Sequence, residues 1–94
     1  MIKQIQKRNG TFVLFDRARI ENAIQKASIA VGKDLSGTLL ISITDQVIAD
    51  LETTTKPIHV EQVQDIVEQK LFQSELFVIA KAYILYRKEH EQLR

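Results

Sequence analysis

Apolar residues recur along most of this chain at steps of three and four, the spacing that places them on one face of a helix. Ile20, Ala23, Ile24, Ala27 and Val31 predict a first helix over 17–31, with Asp16 as its N-cap and Gly32 placed to end it in the left-handed conformation. Ser36 to Thr38 offers a second cap, and Leu40, Ile43, Val47 and Leu51 predict a second helix ending near Thr53-Thr54-Thr55. Pro57 forces Lys56 out of helical geometry, so Lys56-Pro57-Ile58-His59 reads as an extended connector or a third short strand. From Glu61 the helical period resumes through Val63, Ile66, Val67 and Leu71, a third helix broken around Gln73-Ser74. Leu76, Ile79, Ala80, Tyr83 and Tyr86 predict a fourth, which breaks into the charged tail Arg87-Lys88-Glu89-His90-Glu91.

The first fifteen residues follow a different rule. Asn9-Gly10 sits between two segments of strand character, and Asn-Gly is the pair that best tolerates the positive φ angles of a type I′ hairpin turn. The expected strands are Lys3 to Arg8 and Thr11 to Phe15, the second strengthened by Phe12-Val13-Leu14-Phe15. A lone hairpin is marginal in water, so this one must pack on the helices. The pattern therefore predicts an α+β, mainly helical chain forming one domain over 1–94, with no internal repeat, linker or low-complexity segment.

Composition narrows the chemistry. The 94 residues include no cysteine, which excludes a disulfide framework, a thiolate zinc site, an iron–sulfur cluster and a cysteine nucleophile or radical within them. The start Met1-Ile2-Lys3-Gln4 has no apolar signal core, and no apolar run approaches the ~20 residues that span a bilayer. The expectation is a cytoplasmic protein that does not enter the membrane. The histidines, His59 and His90, and the scattered carboxylates show no metal-ligand spacing, and neither paired catalytic carboxylates, a Ser-His-Asp set nor a Walker loop is visible. No catalytic residue and no metal site are expected.

A net charge of +1 is too small for a general polyanion binder, but its distribution is uneven. Residues 1–20 hold Lys3, Lys7, Arg8, Arg17 and Arg19 against Asp16 alone, which leaves +4 there and −3 elsewhere. A hairpin brings Lys7-Arg8 and Arg17/Arg19 together, and the amides of a helix N-terminus add to the attraction for phosphate. The same side chains also read as ordinary solvated surface charges.

Three segments in fixed order add to this: Ile5-Gln6-Lys7-Arg8-Asn9-Gly10, Phe15-Asp16-Arg17-Ala18-Arg19-Ile20, and Ala80-Lys81-Ala82-Tyr83-Ile84-Leu85-Tyr86-Arg87. Together they resemble the ATP-cone, which opens with a Val/Ile-x-Lys-Arg-Asp/Asn-Gly hairpin, continues with Phe-Asp-x-x-Lys-Ile and closes with Ala-x-x-Tyr-x-x-Tyr-Arg. The segment Ile58 to Glu68 is similar to the family's third helix, so the likeness covers nearly the whole chain. The resemblance implies a four-helix bundle capped by a small three-stranded sheet, formed by the hairpin and Pro57–Val60. It also implies a site for ATP or dATP beneath the cap, with magnesium arriving on the triphosphate.

On the same resemblance Lys7 and Arg8 correspond to the phosphate-binding pair, and Arg19 stands where the family usually has lysine. Ile5, Phe15, Ile20 and Val63 correspond to adenine-pocket walls, with Gln64 near them and Val60 where some members carry threonine. Such apolar residues are also ordinary core formers. The implied role is an allosteric, non-catalytic sensor that regulates a ribonucleotide reductase catalytic domain or subunit through assembly, with homo-oligomers among its partners. The closing helix and the start at Met1 look most similar to the anaerobic, triphosphate-reducing branch. Two other readings stay open: a nucleic-acid-binding or transcriptional module of the reductase-repressor type, for which the motif begins very close to Met1, and a helical interaction domain with a degenerate pocket.

Overall fold

The computed structural model describes residues 2–92, with side chains to residue 89. Two short strands, β1 (Gln4–Gln6) and β2 (Phe12–Leu14), precede four helices: α1 (Arg17–Ala30), α2 (Gly37–Glu52), α3 (Val60–Gln73) and α4 (Phe77–Gln92). Gln4 pairs with Leu14, Ile5 with Val13 and Gln6 with Phe12 in an antiparallel ladder. The Lys7 amide bonds the Thr11 carbonyl at 2.8 Å, and the Phe15 amide bonds that of Lys3 at 2.9 Å.

The turn differs from the expected type I′. The Gly10 amide closes onto the Lys7 carbonyl at 3.0 Å, and Gly10 alone in the turn has a positive φ, +87°. This is the longer hairpin loop that ends in a glycine bulge, and Asn9 serves it by accepting the Thr11 amide on its side chain at 3.0 Å.

The expected third strand is reduced to one parallel bridge between Gln6 and His59, held by the Gln6 amide on the Ile58 carbonyl at 2.8 Å. Pro57 has no N–H to donate, and α3 begins at Val60, so no length remains for a ladder. The sheet is two-stranded. The fourth helix also departs from expectation: it continues through Arg87–Glu91 instead of breaking there. Arg, Lys, Glu and Gln are good helix formers, and Arg87 is anchored on α3.

The starts of α1, α2 and α3 are capped locally. Asp16 accepts from the Ala18 amide at 3.0 Å, Ser36 from the Leu39 amide at 3.1 Å, and the Gln62 side chain reaches back to the His59 amide at 2.7 Å. Ile24, Ile43, Val47, Leu51, Leu71 and Ala80 are wholly buried where α1 meets α2 and α4 and where α3 meets α2 and α4. Ile58 joins them from the connector, which ties its backbone to the core. The buried hydroxyls of Thr44 and Ser28 are satisfied by the Leu40 and Gln25 carbonyls.

Ion pairs link neighbouring helices. Arg17 of α1 reaches Asp45 of α2 at 2.6 Å, Lys70 of α3 reaches Asp50 of α2 at 2.9 Å, and Arg87 of α4 reaches Asp65 and Glu68 of α3 at 2.8 and 2.6 Å. Burial alone would weaken protonation of Arg87, but the two carboxylates outweigh it and hold its pKa above the usual value. Burial pushes the Tyr83 hydroxyl well above its ordinary range, which keeps it neutral.

Two helix ends share one geometry with different residues. After α1, Gly32 at φ +67° donates to Ile29 while Lys33 donates to Ser28. After α3, Glu75 at φ +61° donates to Phe72 while Leu76 donates to Leu71. Both are Schellman ends, and glycine normally fills the left-handed position because it has no Cβ. Glu75→Gly is therefore expected to stabilise the fold by about 1 kcal/mol, part of the roughly 1–2 kcal/mol that a side chain loses in the left-handed region. Gly32→Ala should cost a similar ~1 kcal/mol. In thermal melts these changes appear as shifts of about 4–8 °C in opposite directions.

Candidate functional site

Strand alternation decides which hairpin side chains face the helices. Ile5 is buried and its partner Val13 half-buried, while Phe12 and Leu14 on the other face are 47% and 83% exposed. Two residues along from Ile5 and Val13, Lys7 and Phe15 fall on the inward face as well. The Asp16 cap then turns the chain into α1, which brings Arg19 and Ile20 beneath the hairpin.

Between hairpin, α1 and the start of α3 lies an open cleft of about 180 Å³, lined by Ile5, Lys7, Val13, Leu14, Phe15, Asp16, Arg19, Ile20, Val60 and Val63. Ile5, Ile20 and Val63 form its floor and are at the same time core residues, each less than a tenth exposed. Val60 and Phe15 are half-buried. Lys7 and Arg19 bring positive charge, and among the described residues neither side chain has a carboxylate partner. The Asp16 carboxylate on this wall is engaged in capping.

The structure thus gathers Ile5, Lys7, Phe15, Arg19, Ile20, Val60 and Val63 around one space and leaves two of the predicted site residues beside it. Arg8 donates through Nε to the Glu61 carboxylate and through Nη2 to Gln64 Oε1 at 3.4 Å, so Arg8 and Gln64 meet each other at the entry to α3. Arg17, grouped with Arg19 by charge, turns away to α2, where it also holds Glu21 at 3.0 Å and the Ile41 carbonyl at 3.3 Å. Asp45 and Glu21 hold the Arg17 pKa above its ordinary value.

Three lining residues and one neighbour were missed in the sequence. Val13 and Asp16 were recoverable, the first by counting back two from Phe15 and the second from its capping role. Leu14 and the Arg8 partner Glu61 depend on how the hairpin docks, which local pattern does not encode. His59 is exposed and precedes α3, while the His90 side chain lies outside the described residues. Among the described residues no three histidines or carboxylates converge as a metal site, and no helix is long and apolar enough to cross a membrane.

A small helical module carrying a hairpin over a cation-flanked apolar cleft has the build of a ligand-binding domain. The profile of the ATP cone domain matches residues 3–92, and the chain belongs to that family. It is 39% identical over 101 residues to a vitamin B12-dependent ribonucleoside-diphosphate reductase of Thermoplasma acidophilum, an alignment covering all of this chain and 13% of that protein. A protein of the same name from Mycobacterium tuberculosis is 36% identical over 94 residues, covering 97% of this chain and 13% of the relative. The ribonucleoside-diphosphate reductase subunit alpha of Chlamydia trachomatis is 35% identical over 102 residues, covering 96% and 10%. The chain therefore spans roughly an eighth or less of these relatives. All three carry ribonucleoside-diphosphate reductase names.

Glu61 supplies a pH test of how the hairpin is tied down. Partial burial opposes its ionisation, but the Arg8 hydrogen bond, its own backbone amide and the Arg8 charge outweigh this and hold its carboxyl below the usual value. A lowered folded-state pKa adds stability above the unfolded pKa of about 4.3, lost as pH falls through the folded value. The pair is partly exposed, so its contribution is about 1 kcal/mol or less. The parent should be slightly more stable than Glu61→Gln at pH 7, and denaturant titration should show that margin closing as pH falls below about 4.

Proposed function

We propose that this chain is an allosteric nucleotide-sensing domain that binds ATP or dATP in the cleft and regulates the ribonucleotide reductase activity of a longer protein or partner subunit. The observation that carries this reading is the convergence of Ile5, Phe15, Ile20, Val60 and Val63 with the cations Lys7 and Arg19 on one cleft. Apolar walls suit a flat base, and flexible ammonium and planar guanidinium groups suit phosphate oxygens. At about 180 Å³ the cleft is smaller than the roughly 300–1,000 Å³ of common small-molecule pockets. A nucleotide would accordingly bury its base there and lay its phosphates along the open edge by Lys7 and Arg19.

Magnesium enters, in this reading, on the triphosphate, because Asp16 is the carboxylate of the cleft wall and it is occupied in capping. The residues 1–94 act as one non-catalytic cytoplasmic domain, and nucleotide identity changes how reductase subunits or copies of this domain assemble. Family membership and the reductase names of the relatives support this regulatory role.

Nucleotide at a hundred times its dissociation constant should stabilise the chain by about 2.7 kcal/mol, a rise in Tm of roughly 10–20 °C. Lys7→Ala and Arg19→Ala should each weaken ATP binding about 10–150-fold, the loss of a charge-assisted bond worth about 1.5–3 kcal/mol. Lys33→Ala, in the loop after α1, serves as the control and should change affinity little. GTP should bind much more weakly than ATP or dATP, since its O6 and N2 groups would each leave polar atoms unpaired at about 1–3 kcal/mol. Calorimetric titration checks all of these, and AMP binding as tightly as ATP would sink the phosphate site.

A further inference from the structure

Arg8 is the member of the expected phosphate pair that the fold holds beside the cleft instead of in its wall. It follows Lys7, and its partner Glu61 follows Val60, so the Arg8–Glu61 pair joins two residues adjacent to the cleft lining at its edge. Glu61 stands in the first turn of α3, where the helix field favours negative charge. Its carboxylate therefore fills two roles that a phosphate oxygen would fill: guanidinium partner and anion at the end of a helix. The side chains are 28% and 38% exposed, which makes the pair weak and exchangeable. The Arg87 clasp, by contrast, is 16% exposed on the arginine side and holds two carboxylates.

From this we infer that Glu61 is a built-in competitor for Arg8, an internal anion that a nucleotide's phosphates must displace before Arg8 can bind them. The inference rests on the nucleotide reading above and deepens it. Displacement removes a charged side-chain tie between the hairpin tip and the first turn of α3, while the Gln6–Ile58 backbone bond still holds β1 on the connector that precedes α3. Phosphate occupancy is thereby converted into a change at the start of α3, which packs on α2 and α4. A ligand without phosphates does not reach Arg8 and leaves the pair closed.

Glu61→Gln keeps the shape and removes the charge, so it should tighten ATP binding about 3–10-fold while costing a little stability, since releasing an exposed pair returns up to about fivefold and lost repulsion adds the rest. Affinity for adenosine, titrated in parallel, should stay within about twofold, because adenosine carries no charge for Glu61 to repel. Glu61→Ala should repeat the gain. In an Arg8→Ala background the gain should fall below about twofold, since neighbouring groups that share one interaction are not additive. The inference is overturned if Glu61→Gln leaves ATP affinity unchanged or lowers it, or if the full gain persists without Arg8. A parent chain that binds neither ATP nor adenosine instead overturns the nucleotide reading and takes the inference with it.

Discussion

The Gln6 amide on the Ile58 carbonyl, together with the burial of Ile2 and Ile5, sets where the hairpin lies, and the cleft exists only because of where the hairpin lies. Two strands of three residues cannot persist alone in water. They gain order by laying Ile2 and Ile5 on the core and by docking β1 along the connector that carries the buried Ile58. Once β1 is placed, its alternation puts Lys7 over the cleft, and the β2 register puts Val13 and Phe15 opposite α1. Loss of that docking would leave α1 and α3 with an uncovered apolar floor and no site.

Six of the cations differ in what they are attached to. Arg17, Lys70 and Arg87 each bridge a pair of helices and are spoken for by carboxylates. Such pairs contribute only modestly to stability when exposed. Lys7 and Arg19 lack carboxylate partners among the described residues, and their two positive charges on the cleft outnumber the one negative charge of Asp16. Arg8 stands between the groups, with a partner that is accessible to solvent and to competing anions.

The helices were legible because their signals are local. Periodic apolar residues, the Asp16 and Ser36 caps, Gly32 and Pro57 act within a few residues of where they stand. The cleft walls were legible through family resemblance more than through pattern, since Ile5, Ile20 and Val63 look like any core residues in a list of apolar positions. What could not be read was long-range. Whether Arg17 or Arg19 faces the cleft depends on α2 supplying Asp45, and whether Arg8 is engaged depends on Glu61, 53 residues away. The third strand turns on two opposed local effects of Pro57, the extended conformation that it favours and the missing N–H that denies it a ladder, and the second prevails. The charge of Arg87–Glu91 resembles a stop signal along the chain, but Arg87 finds its partners on α3 and the helix continues.

The overlap of cleft floor and core limits how this domain can change over evolutionary time. Ile5, Ile20 and Val63 serve packing and pocket together, so a substitution that reshapes the floor also leaves a void or a clash in the interior. Val60 and Phe15 border the same space only half-buried against the core, and Leu14 borders it 83% exposed. Drift in ligand preference is thereby channelled to the upper rim of the cleft, where new side chains can be tried without first destabilising the fold that presents them.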